Sequence, residues 1–294
     1  MLSQQQKNNL FKYFMILLYL VTGLFLLYFL YTGWDYYRLP LQEKIRHPQY
    51  QNLKPGGRIS HGLGIMGSLM MISLLFYSLR KRVKAFRRWG ALNRWLNFHI
   101  FLGIMGPLFV ILHTTFKVDG LVAVSFWSMI AVALSGVFGR FIYVQIPRNI
   151  VGIELSKDKA MNINERLKSK IQYEYQLDDQ EFVTLEEEIG VHFTSDSFFK
   201  VFVSLVLIDL ILFFRRPRIY KRVEEKLNIS RARIKTLVNL TVQQAKLEQR
   251  IHFLNQIQQI FHYWHVIHKP FAILMYLIMM IHVGIVVWLG YTWF

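Results

Sequence analysis

Cysteine is absent from this chain of 294 residues, proline is sparse at 7, and acidic residues number 18 against 35 lysines and arginines. The first absence excludes disulfides, thiolate zinc sites, cysteine-ligated iron–sulfur clusters and covalent c-type haem. A haem, if bound, has to be b-type, held by histidine and packing. The shortage of acid leaves a formal charge of +17. In a soluble protein that excess would point to nucleic acid. Here 53% of the residues are hydrophobic and 16% aromatic, and basic residues of membrane proteins collect on the cytoplasmic side. The charge reads as topology, with membrane lipid as the surroundings and no nucleic-acid partner.

Apolar sequence is plentiful, in runs long enough to cross about 30 Å of hydrocarbon. Residues 11–31 follow a short polar start without a small-residue cleavage signature and read as an uncleaved first span. A polar segment, 33–58, carries Trp34, Tyr36 and Tyr37 where an interfacial aromatic belt belongs. The second span, 60–79, runs into Arg80, Lys81, Arg82, Lys84, Arg87, Arg88 and Arg94, the strongest orientation signal in the chain, which marks a cytoplasmic loop. The third span, 95–116, then runs outward, turns at Lys117, Val118, Asp119 and Gly120, and the fourth, 121–146, returns to close with Pro147 and Arg148.

The stretch 154–196 turns acidic, with Glu186, Glu187 and Glu188 in a run, and reads as a solvated helical insert or a docking surface, the solvated insert being the expectation. Residues 198–214 are apolar but carry Lys200 and Asp209 and lead into Arg215, Arg216 and Arg218. As a crossing segment they would leave those arginines outside, so an interfacial or re-entrant helix is expected. Ile234, Val238, Leu247, Ile251, Leu254 and Phe261 recur at helical spacing, predicting an amphipathic cytoplasmic helix over 230–261. The last span, 270–289, has Pro270 in its first turn, runs parallel to the third, and is followed by an aromatic anchor of Tyr291, Trp293 and Phe294. The fold expected is all-α: a polytopic membrane helix bundle with about five spans (1–147 and 266–294), around a cytoplasmic helical insert (148–265) that holds the interfacial segment.

Chemistry enters with histidine. His99 and His113 are separated by 14 positions in the third span, and so are His268 and His282 around the last. At about 100° per residue that step returns to within roughly 40° of its starting direction and climbs about 21 Å, so each pair shares a helix face with one member near each membrane surface. Two such helices side by side present the ligands of two bis-histidine b haems. Parallel spans pair His99 with His268 and His113 with His282; a crossing at 198–214 would swap the partners. A lone intramembrane histidine is accounted for by a hydrogen bond to a neighbouring helix, but two pairs at one spacing favour haem. His268 lies at the predicted helix junction, where His265 or His262 could replace it.

Supporting residues are less specific. Gly103 and Gly106 share the His99 face and leave room either for a porphyrin or for close helix packing. Arg94, Arg140 and Lys269 near the inner site, and Lys117 near the outer, are candidate partners of haem propionates, with snorkelling to the interface the competing account. His61 could meet a propionate or a quinol, or cap its helix at the interface, the reading favoured here; His47, His192 and His252 read as ordinary surface residues. Gly62, Gly64 and Gly67 match a dinucleotide-binding pattern by letter only, since no strand precedes them.

His99 through His113 and His268 through His282 resemble the transmembrane dihaem cytochrome b core of the ferric reductase and NADPH oxidase superfamily. No segment of these 294 residues reads as a flavin and nicotinamide domain, so NADPH oxidation by this chain alone is not expected. It is similar also to dihaem subunits of membrane redox complexes. The resemblance implies two haem b, with a quinone as a further candidate cofactor, and transmembrane electron transfer to or from separate redox partner subunits, in a bacterial inner membrane. A ferric reductase acting at the outer face and a histidine-lined metal transporter are the alternative expectations.

Overall fold

A computed structural model describes residues 3–148, 154–189, 197–226 and 229–290. The chain is all-α. Helix α1 (Gln4–Thr32) is followed by three single turns, α2 (Trp34–Tyr37), α3 (Leu41–Lys44) and α4 (Tyr50–Leu53), then α5 (Arg58–Ser73) and α6 (Leu75–Arg82). After a 3₁₀ turn come α7 (Leu92–His113), α8 (Gly120–Gln145), α9 (Lys157–Tyr175), α10 (Asp179–Ile189), α11 (Phe198–Lys226), α12 (Arg231–His252) and α13 (Leu254–Trp288). Five stretches among the described residues are long and apolar enough to cross a bilayer: Gln5–Thr32, Tyr50–Arg82, Leu92–His113, Gly120–Gln145 and Leu254–Trp288. Their outward faces stay apolar, with Leu24 of α1 65% exposed and Leu134 of α8 66%. That surface suits hydrocarbon as solvent, and the protein is an integral membrane protein.

The chain divides into two units, residues 1–137 with 267–294, and residues 138–266. The first is a bundle whose register follows from side-chain contacts. Helix α1 lies along α7 through Phe11 on Phe98, Tyr19 on Phe101 and Phe25 on Phe109, so the two are parallel. Helix α5 runs against α7: Gly64 meets His113, Gly67 meets Val110, and Gly106 meets Met71. Helix α13 runs against α8, with Ser125 bonded to the Met275 carbonyl and Ser135 to His268. It also runs against α5, with Tyr276 on the Met71 carbonyl and His282 near His61. Both α7 and α13 are antiparallel to α5 and therefore parallel to each other. The chain that leaves α8 thus re-enters at the same end of the bundle.

Between these helices the middle of the bundle is filled by Met71, Leu74, Met129 and Met275, with Tyr276 and Met279 beside them. Unbranched, polarizable methionine suits the irregular gap where four helices meet. Past α7, Lys44 is buried and donates from Nζ to the Thr115 carbonyl at 2.8 Å, its ammonium 5.2 Å from the Tyr36 ring centroid. That bond fixes a turn in which Thr115 and Phe116 take positive φ. Burial pushes the Lys44 ammonium down from its usual range.

The second unit is built on apolar stripes. Ile171 of α9, Phe182 of α10, Ile208, Leu212, Ile219 and Val223 of α11, and Ile234, Leu237 and Val238 of α12 form one core. The acidic insert is helical, as expected, but its apolar side is packed rather than solvated. Two boundaries differ from the sequence reading. Helix α12 ends at His252, and α13 begins at Leu254 and runs straight through Pro270. Proline there costs a single hydrogen bond, to the Val266 carbonyl, which a long apolar helix tolerates, so His268 sits mid-helix and not at a junction. The segment 198–214 is the first half of the 29-residue α11 and continues past the arginines. The aromatic anchor at 291–294 and His192 lie outside the described residues.

Tyr37 is 6% exposed, its hydroxyl without a hydrogen-bond partner among the described residues. Burial, with the charge of Tyr36 adding, pushes its phenol up to about 12. The folded protein therefore holds this proton more tightly than the unfolded chain, whose tyrosines ionise near pH 10. Stability is unaffected below about pH 10 and falls between there and about pH 12. Tyr37→Phe should leave the melting temperature at neutral pH unchanged or higher, because the deleted hydroxyl bonds nothing. It should also flatten the alkaline fall. A lower neutral melting temperature with the fall intact would contradict this placement.

Candidate functional site

The face of α7 that carries His99 and His113 is turned to α5. His113 Nδ1 lies 2.7 Å from the Ser60 carbonyl, and His99 Nδ1 lies 3.3 Å from the Leu74 carbonyl. A carbonyl can only accept, so in each neutral ring Nδ1 carries the proton and Nε2 keeps its lone pair. Ser60 and Leu74 are themselves 14 positions apart. The antiparallel crossing matches that interval to the one between the histidines, and one helix backbone sets both tautomers.

The two carbonyls accept the rings in different settings. Ser60 lies in the first turn of α5, where its carbonyl belongs to the helical ladder and takes His113 on its second lone pair. Leu74 is the joint between α5 and α6, where the backbone tightens to i→i−3 bonds, Leu74 N–H to the Met71 carbonyl and Tyr77 N–H to the Leu74 carbonyl. A break in a membrane helix must be made good by neighbours. His99 donates to the Leu74 carbonyl, and the Tyr276 hydroxyl donates to the Met71 carbonyl at 2.7 Å.

Glycine makes the approach possible. A Cβ on Gly64 would stand 2.6 Å from His113 Nδ1, and one on Gly67 would stand 2.8 Å from Val110 and 3.1 Å from the Gly106 carbonyl. A Cβ on Gly106 would stand 3.1 Å from the Met71 sulfur, while Gly103 has its nearest neighbour, Leu74, at 3.8 Å. Of the two readings of Gly103 and Gly106, close packing accounts for Gly106. The Gly-Ile-Met-Gly sequences at 64–67 and at 103–106 thus touch at one point, where Gly67 meets the Gly106 carbonyl.

On α13, His268 Nδ1 lies 2.7 Å from Ser135 Oγ, and that hydroxyl donates to the Val132 carbonyl at 2.9 Å. With the Ser135 hydroxyl turned to Val132, the bond to His268 is donated by imidazole Nδ1. His282 is half-buried and, with His61, within electrostatic reach of His113. His113 and His282 therefore lie at one level of the bundle, as parallel spans require, and His61 joins them. His99 and His268 are each fixed at the other end, by different partners. His265 belongs to the second unit, donating to the Phe261 carbonyl with its ring against Phe261 and Trp264, and His262 is exposed there. Among the described residues no group of three or more His, Asp or Glu could hold a metal ion.

Beside His99 is a cavity of about 540 Å³ lined by Phe11, Phe76, Tyr77, Trp89, Trp95 and Phe98, with Ser73 and Arg94 as polar groups. Its lining comes from α1, α5, α6, α7 and the turn before α7, and none from α13. Arg94 also stacks on Phe11, 5.3 Å from its centroid, and reaches Asn8. Lys117 and Lys269 are exposed. Arg140 is in the second unit, 5.5 Å from the centroid of Tyr143.

Comparison with protein-family models, with curated proteins and with solved structures gives no match.

In protein free of cofactor and labelled with ¹⁵N-histidine, His99, His113 and His268 should each give the signature of a protonated Nδ1 and an unprotonated Nε2. Gly64→Ala should alter the signals of His113 and leave those of His99 and His268. A protonated Nε2 on His113, or indifference to Gly64→Ala, would contradict the arrangement.

Proposed function

We propose that this protein is a transmembrane electron-transfer subunit holding two b-type haems, one between His113 and His282 and one between His99 and His268. The observation that carries the reading is the matched interval: His99 and His113 each give an Nδ1–H to carbonyls 14 residues apart on one facing helix, leaving two Nε2 lone pairs at the two ends of one bundle. Metal-ligating histidine characteristically donates its other ring N–H to a carbonyl or carboxylate, which fixes the ring and raises its basicity. Ser135 serves His268 in the same way. With no cysteine in the chain, non-covalent haem is the form the residues fit.

Bound there, b haem would supply a one-electron centre near each membrane surface. The residues of the chain orient the imidazoles, and the methionine-rich middle keeps the space between the two levels apolar. His61, near both His113 and His282, is suited to hydrogen-bond a propionate or relay a proton at that end. The aromatic cavity beside His99 is a place for a lipid-soluble quinone to exchange electrons with the nearer centre. The basic loop after α6 puts the His99 end at the cytoplasmic face, in a bacterial inner membrane by this reading, with further redox partners supplied as separate proteins.

A pyridine haemochrome assay should give close to two haems b per chain. His99→Ala and His113→Ala should each remove one and leave the other largely bound, the sites lying about 21 Å apart along α7. Absence of haem together with stoichiometric zinc would overturn the reading in favour of metal transport. Loss of both haems from either substitution, in folded protein, would argue for a single coupled site.

A further inference from the structure

Helix α11 has two outer faces of opposite character, and the change falls at one residue. Its inner stripe, Val201, Leu205, Ile208, Leu212, Ile219 and Val223, is buried along the whole length. Opposite that stripe the first half presents Val206, Leu210, Phe213 and Phe214, which are 41%, 52%, 70% and 67% exposed. The second half presents Lys221, Glu224 and Glu225. Between them stand Arg215, Arg216 and Arg218, all exposed. A helix solvated along its outer side would be polar throughout; one whose outer side is apolar at Val206, Leu210, Phe213 and Phe214 has a second apolar medium against it.

The start of the same helix locates that medium. Phe202 packs on Phe138 and Phe141, with ring centroids 5.1 and 5.4 Å away, and Val201 and Leu205 lie in one cluster with Ile142, Leu254 and Ile257. Phe138, Phe141 and Ile142 belong to the candidate span Gly120–Gln145, and Leu254 and Ile257 to Leu254–Trp288. The start of α11 thus packs on the ends of two helices that carry candidate spans, and its own outer side stays apolar up to the arginines.

We propose that the first half of α11 rests on the bilayer, with Val206, Leu210, Phe213 and Phe214 in the acyl boundary and Arg215, Arg216 and Arg218 bound to anionic lipid headgroups. The inference is independent of haem. Buried apolar area and attraction to anionic lipid both contribute to such binding. The occupant is lipid rather than a partner protein because the helix starts on helices that carry candidate spans and its apolar face gives way directly to Arg215, Arg216 and Arg218.

The cysteine-free chain allows single spin labels without background. Full-length protein carrying Leu210→Cys, Phe213→Cys, Lys221→Cys or Glu225→Cys, each labelled with a nitroxide, is reconstituted in vesicles of phosphatidylcholine with phosphatidylglycerol. Collision rates with oxygen and with a water-soluble nickel complex are then compared, and circular dichroism checks each fold. Labels at 210 and 213 should collide with oxygen in preference to nickel, and labels at 221 and 225 the reverse. Replacing phosphatidylglycerol by phosphatidylcholine, or Arg215, Arg216 and Arg218 by Gln, should shift the label at 213 toward nickel. Nickel access at 210 and 213 equal to that at 221 would overturn the proposal. So would protection from both reagents, which would mean a protein surface covers the face, and so would indifference to lipid charge and to the arginines.

Discussion

The close crossing of α5 and α7 is the constraint on which the site depends. In hydrocarbon an imidazole N–H without an acceptor costs far more than it does in water, and the second lone pair of a helix carbonyl serves only a donor that comes within reach of the backbone. The bundle meets this by bringing two helices together at glycine until ring nitrogens touch the facing backbone. Gly64 admits the His113 ring, and Gly67 and Gly106 let the backbones approach. At the joint the Leu74 carbonyl, held by Tyr77 N–H, accepts His99 as well. Loosening the crossing by one methyl group would strand an N–H as well as open a gap, so packing and chemistry are coupled at the same residues.

A second consequence concerns rigidity. His99 and His113 donate through Nδ1 to main-chain oxygens at the break and at the start of α5, and His268 shares a hydrogen bond with the Ser135 hydroxyl of α8. For the first two, ring orientation is set by backbone, which cannot rotate away as a side chain can. Such support around prospective ligands is what holds a metal-binding geometry to the fraction of an ångström it needs. Above His113, Lys44 holds the following turn through the Thr115 carbonyl and so limits fraying at that end of α7.

The membrane spans were legible because hydropathy and length are properties of contiguous sequence, and the histidine pairs because a 14-residue interval on a helix is too. Residues that act only once two helices meet were not. The proximity of His61 to His113 and His282 depends on antiparallel register, and its place at a helix start pointed instead to a cap. The repeated Gly-Ile-Met-Gly had no interpretation until Gly67 was found against Gly106. Ser60 and Leu74 contribute main-chain oxygens, which side-chain identity does not mark. Pro270 misled because in soluble sequences proline opens helices, whereas a long apolar helix absorbs it. The course of α11 past Arg215 was hidden for a related reason: its inner stripe continues through the charged stretch, and only packing against α12 makes that stripe decisive.

The central claim is that four histidines present their Nε2 atoms in two pairs as axial ligands of haem. Electron paramagnetic resonance of the oxidised protein, together with near-infrared magnetic circular dichroism, reads axial ligation directly. The account predicts low-spin ferric haem with the charge-transfer band of bis-imidazole coordination, from two centres per chain. High-spin ferric haem, a histidine–methionine signature drawing on the methionines of the bundle core, or no haem signal at all would contradict it.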